Sequence, residues 1–216
     1  MKVIVAALAA GVGVAILLYF PDRDDGSGAI LGGLSALVAV PLGLATAAQY
    51  RTLPKRSVAD HLRFAARAFA LGIGLGIANL AVNYGMAVLD PAIRDQMVTR
   101  WARFDPWSVV VSGPIMEEIA YRLVMLSVLA WVVARFTEDR RTIFYIALSL
   151  SSLLFGVAHI WYGGVDSAVY QVGMALKSSG GGLLLGWVFW RGGLPYSILC
   201  HCAANGIHLV LMPLLF

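Results

Sequence analysis

Three short motifs place ionisable or polar side chains inside apolar stretches: Glu117-Glu118-x-x-x-Arg122, Phe155-x-x-x-His159 and His201-x-x-x-Asn205. An ionisable side chain at membrane depth costs on the order of 3 kcal/mol. Two Glu, one Arg and two His there point to an internal site where they pair, hold water or do chemistry. Glu118 and Arg122 are four apart and share a helix face, with the acid N-terminal to the base, which is the favourable order. Glu117 points about 100° away around the helix and faces another element. Burial disfavours the charged form of a carboxylate and moves it toward the range where it takes a proton from water. The spacing therefore predicts that Glu118–Arg122 braces the helix while Glu117 is a general base. A purely structural ion-pair cluster is the alternative.

His159 closes an apolar run that begins near Ile143. Alone it reads as a buried histidine with a hydrogen-bond partner; together with Glu117 it can hold one water. His201 and Asn205 are four apart, so both can donate from one stripe to an oxyanion formed from a peptide carbonyl. The same two residues would also serve as an interhelical hydrogen-bond clamp. His208 continues that stripe and either lines the same cavity or caps the polar seam. Cys200 and Cys202 flank His201 but point about 200° apart on a helix, so both thiols cannot face one ion. His61, beside Asp60 in a basic loop, reads as solvated. Gly180, Gly181, Gly182 and Gly186 permit either close helix packing or a loosened helix that admits an extended substrate. Lys177, just before them, is the one Lys inside an apolar stretch, placed to snorkel or to meet a carboxylate.

These residues need apolar elements to carry them, and the composition supplies them. The 216 residues are 60% hydrophobic and 13% charged, against about 25% charged in soluble domains. The net charge of +4 lies in short loops and implies no nucleic-acid partner; the bilayer itself is the surrounding partner. At about 20 residues per crossing, the apolar stretches are about seven. They run Val3 to Phe20, Ala29 to Ala48, Ala65 to Leu89, Trp107 to Ala134, Ile143 to Trp161, Ala168 to Trp190 and Leu194 to Phe216. The first exceeds the ~7–15 apolar residues of a leader peptide, which is its alternative reading. The fold class expected is all-α, a polytopic transmembrane bundle forming one integral-membrane domain over 1–216. Residues 1–106 hold the N-terminal helices and 107–216 the catalytic helices. Asp90 to Asp105 is mixed in charge and reads as an interfacial helix, with Trp101, Phe104 and Trp107 at a headgroup boundary. There is no internal repeat. Alternating the loops puts Lys2, Arg51, Lys55, Arg56, Arg63, Arg67, Arg135, Arg140, Arg141 and Arg191 on one side, which is then cytoplasmic, with the N-terminus inside.

In order and spacing the motifs resemble the CAAX protease and bacteriocin-processing family of intramembrane endopeptidases, also called type II CAAX prenyl endopeptidase-like proteins. The likeness runs from Pro114 to His208 and includes Gly186-Trp187 and Arg191-Gly192-Gly193-Leu194 leading into Ile198. It implies a glutamate-dependent protease of a bacterial or archaeal cell membrane. In it Glu117 activates water, His159 helps hold that water, Glu118 and Arg122 support the motif, and His201 and Asn205 stabilise the oxyanion. It implies no required cofactor, although two His and one Glu can also hold zinc, as in His₂Glu hydrolase sites. The partner implied is a membrane-attached peptide or protein substrate: a prenylated tail, a bacteriocin or pheromone precursor, or a C-terminal sorting tag. A non-proteolytic scaffold or a proton-coupled transporter is the reading from another class. With the N-terminus inside, Glu117 lies about 15 Å below Trp107 and Asn205 roughly 16 Å below the end of the last span. The site is then expected to open toward the outer face.

Overall fold

The computed structural model describes residue 41 and residues 56–101, 105–163 and 167–215. Of the first two apolar stretches only Pro41 falls among them, and Phe104 does not. Every regular element among the described residues is a helix, as the all-α expectation requires. The helices are α1 (Val58–Leu89), α2 (Pro91–Trp101), α3, α4 (Arg140–Gly163), α5 (Ala168–Gly192) and α6 (Leu194–Leu215). The third of these, α3, is a run of four consecutive segments: Ser108–Ser112, Gly113–Glu117, Glu118–Leu126 and Ser127–Val133.

Among the described residues four helices are long and apolar enough to cross a bilayer: Val58–Leu89, Arg140–Ile160, Ala168–Gly192 and Leu194–Leu215. They match the third, fifth, sixth and seventh expected spans. The largest shift is at α1, which begins at Val58 rather than Ala65. Ser57 and Asp60 form a capping box there and satisfy its first orphan N–H groups. Polarity is turned inside out relative to a water-soluble protein. Phe69, Ile77, Leu153, Leu176 and Val210 are exposed, while Asn83, Glu118, Arg122, Ser151, His201 and His208 are buried. Exposed apolar area on this scale is stable only against lipid. The chain is an integral membrane protein.

Contacts divide the chain into two compact units, Met1–Thr52 with Glu117–Ser151 and Leu53–Met116 with Ser152–Phe216. In the first, Tyr121, Val124, Leu126, Phe144 and Ala147 are buried, and the Ser151 hydroxyl donates to the Tyr121 carbonyl at 2.9 Å. Asp139 caps α4 by accepting from the Thr142 N–H at 2.9 Å and the Thr142 hydroxyl at 2.6 Å. Those donors hold its carboxyl below the usual carboxylate range.

In the second unit α1 packs on α6 and α5. At Gly72 and Gly76 a Cβ would collide with the backbone carbonyls of Cys200 and Ala204, so small residues set this close approach. Asp90 ends α1, and Pro91 takes the first position of α2, where its missing N–H costs nothing. Ile93 and Met97 of α2 then enter a cluster with Leu80, Met86, Tyr170 and Met212. The expected interfacial segment is thus anchored through its apolar face. Gly193, at φ 111°, makes the turn from α5 to α6, a backbone conformation that disfavours any side chain.

Candidate active site

Two of the four segments of α3, Ser108–Ser112 and Glu118–Leu126, are π-helical. Single π turns inside α-helices recur at functional sites. The first has a cause in the sequence. Pro114 carries no N–H, and in an α-helix its ring clashes with the carbonyl four residues back. The wider turn before it relieves that clash. Gly113 donates its N–H to Ser108 O in the π register. A Cβ at Gly113 would stand 2.7 Å from that same oxygen, so glycine is needed there. The next carbonyl, Val109 O, would in this register take the N–H of residue 114, which Pro114 lacks. Asn205 fills the gap, its side-chain amide donating to Val109 O at 2.9 Å.

That contact shows the interhelical clamp considered for Asn205, tying α6 to the start of α3. A carboxamide has two N–H groups, so the clamp uses one of them. The other can still donate to a substrate oxygen.

Glu118 and Arg122 meet as the four-residue spacing predicts, with Arg122 Nε 3.4 Å from Glu118 Oε2. Both side chains are buried, at 0% and 1% exposure, so the pair neutralises itself out of water. Ser127 Oγ donates to the Arg122 carbonyl at 3.5 Å. Glu117 is half-buried and sits where α-helical turns give way to the second π segment.

Two histidines of the second unit, His159 and His201, gather about one aromatic ring. Phe155 is buried, with its ring edge-on to His159 at 4.4 Å and to His201 at 6.3 Å between centroids. His159 Nδ1 lies 2.8 Å from the Phe155 carbonyl. A carbonyl only accepts, so Nδ1 carries the proton, and in the neutral ring Nε2 keeps its lone pair. Phe155 therefore fixes both the orientation and the tautomer of His159. What the Phe155 side chain itself adds is its ring, edge-on to His159.

Beyond this cluster a second polar chain crosses three helices. Lys177 Nζ donates to Asn83 Oδ1 at 2.9 Å, and Asn83 Nδ2 lies 3.2 Å from His208 Nε2. Lys177 thus meets an amide oxygen, and His208 caps the polar seam. Sequence reasoning passed over Asn83, one of two amides with Asn79 in a long apolar helix, although a buried Asn at that depth is itself a signal. His61 is exposed but hydrogen-bonds the Tyr196 hydroxyl and stacks on that ring. The glycine-rich stretch is regular helix within α5, and a Cβ at Gly182 would come 3.0 Å from Ser152 Cα, so it serves packing. Cys200 is buried and Cys202 half-buried. Among the described residues no three His, Cys, Asp or Glu side chains cluster as a metal site would.

Compared with known proteins, the profile of the family described as Type II CAAX prenyl endopeptidase Rce1-like matches residues 99–207. No curated protein and no solved structure matches the chain.

Proposed function

Since the chain belongs to the Rce1-like family of type II CAAX prenyl endopeptidases, we propose that it is an intramembrane endopeptidase that hydrolyses a peptide bond in a membrane-attached protein or peptide precursor. Glu117 takes a proton from a water molecule as that water adds to the scissile carbonyl carbon. His159 accepts from the same water and aims it. The carbonyl oxygen becomes an oxyanion held by donors from His201 and from the second N–H of Asn205. Glu117 then returns the proton to the leaving amine, and the carbon–nitrogen bond breaks. Glu118 and Arg122 keep the helix beneath Glu117 in register.

The observation that carries this reading is the extent of the family match. Residues 99–207 enclose all three motifs, from Glu117 to Asn205. The test uses the purified protein in liposomes with a lipid-anchored peptide carrying a tag on each side of the cleavage region. Hydrolysis in heavy-oxygen water places one heavy oxygen in the new carboxyl terminus. A scaffold or transporter leaves the peptide whole, and an intact peptide after prolonged incubation would overturn the proposal.

We further propose that the reaction needs no metal, because a carboxylate base and two hydrogen-bond donors supply the proton transfer and the charge stabilisation. Chelator treatment is expected to leave the rate unchanged. Loss of activity restored by stoichiometric zinc would assign Glu117, His159 and His201 a metal-binding role instead.

A further inference from the structure

The glycines of α1 and α5 are of two kinds. Gly72 and Gly76, and Gly182 on α5, stand where a Cβ would press on a neighbouring helix. Gly74 and Gly180 do not: a Cβ at either would meet nothing within 4 Å. Both line one groove between α1 and α5, a cavity of about 730 Å³. That volume falls in the ~300–1,000 Å³ range of small-molecule sites. From α1 the groove takes Arg67, Leu71, Gly74 and Ala78, a single stripe at helical spacing. From α5 it takes Gly180 and Trp187, two turns apart on one face. Among the described residues Arg67 is the one charged residue in its wall.

Depth indicates what fits. The 32 residues of α1 span about 48 Å, well beyond a hydrocarbon core of about 30 Å. The excess falls at its N-terminal end, where Asp60, His61, Arg63 and Arg67 are all exposed. Arg67 therefore stands at the edge of the hydrocarbon, and the groove runs inward from it to Ala78, roughly 16 Å. Among the described residues Arg67 has no hydrogen bond or ion pair. A guanidinium in that position suits a phosphate, which it can bind through two parallel N–H groups. Gly74 lies two residues from both Gly72 and Gly76, about 200° around from the edge that packs on α6. The Leu71–Gly74–Ala78 wall of the groove thus lies on the side of α1 away from the edge that packs on α6.

The geometry points to a lipid-binding site in which one acyl chain of an anionic phospholipid lies in the α1–α5 groove with its phosphate on Arg67. The lipid fills the space that two glycines leave open and completes the apolar surface between the helices.

Native mass spectrometry of the detergent-purified protein with phosphatidylglycerol or phosphatidylcholine tests this. The wild type is expected to retain one phosphatidylglycerol in preference to phosphatidylcholine. Gly180→Leu and Gly74→Leu fill the groove from opposite walls into open space, so both fold with unchanged melting temperature in lipid-free detergent and lose the retained lipid. Arg67→Gln keeps a bound chain but loses the preference between headgroups. Retention of no lipid by the wild type, or of several without preference, would overturn the site. So would two leucine variants that both hold lipid as the wild type does. Displacement of phosphatidylglycerol by a prenylated peptide, abolished in Gly180→Leu, would give the groove to the substrate and also end the proposal.

Discussion

Arg122 and Glu118 show what a charge needs in order to persist at membrane depth. Each is fully buried and each faces the other. Removing one partner strands the other, at a cost of about 3–5 kcal/mol. Glu118→Ala and Arg122→Ala are therefore expected to lower the unfolding temperature in detergent markedly and to lower activity with it. Glu118→Leu/Arg122→Met removes both charges at once and should be milder than either single change. Equal melting temperatures for wild type and both alanine variants would count against the pair as a brace. Asn205 illustrates a different demand. Its amide serves the Val109 carbonyl, and Asn205→Leu leaves that carbonyl unsatisfied, at about 1–3 kcal/mol. Stability and turnover are expected to fall together in this variant, since the side chain that clamps α6 is also the one proposed to donate to the substrate.

In the helix that carries the glutamates, the first π segment owes its irregularity to residues outside the motif. Pro114 removes the N–H that Val109 O would accept in the π register, and Asn205 replaces it. Pro114→Ala restores an N–H at that position. The loss caused by Asn205→Leu is therefore expected to be smaller in a Pro114→Ala background than in the wild type. Additive losses in that double-mutant cycle would separate the two residues. Gly113→Ala should be destabilising on its own, because its Cβ would meet Ser108 O at 2.7 Å. Much of this level was legible in the sequence. Apolar run lengths gave α1, α4, α5 and α6 to within a few residues at most ends, and the spacing of Glu118 and Arg122 gave their pairing. The π turns were not legible, because hydrophobic periodicity averages over one extra residue in a turn. Pro114 inside an apolar run was the local signal of the first one. The Lys177–Asn83–His208 chain was hidden for another reason: its members come from α5, α1 and α6, and only tertiary packing joins them.

At the scale of the whole molecule the organising fact is that, among the described residues, large apolar side chains are exposed while polar and charged ones are buried, which only a bilayer stabilises. The charged loops then predict which way the protein faces. If the basic side is cytoplasmic, reporter fusions at Asp25 and Arg140 will give an external and a cytoplasmic signal respectively. The reverse pair of signals would turn the proposed site to the inner face. Family membership makes the chain a CAAX-type membrane protease, and the chemistry assigned to it rests on one carboxylate. The most direct measurement is cleavage of a lipid-anchored, doubly tagged peptide in liposomes by wild type and by Glu117→Gln, with the melting temperature of each recorded. The glutamine side chain keeps the size and much of the hydrogen bonding of the acid but cannot take a proton from water. The expected result is cleavage by the wild type, none by Glu117→Gln, and an unchanged melting temperature. Cleavage by folded Glu117→Gln at the wild-type rate would contradict the role of Glu117 as the base.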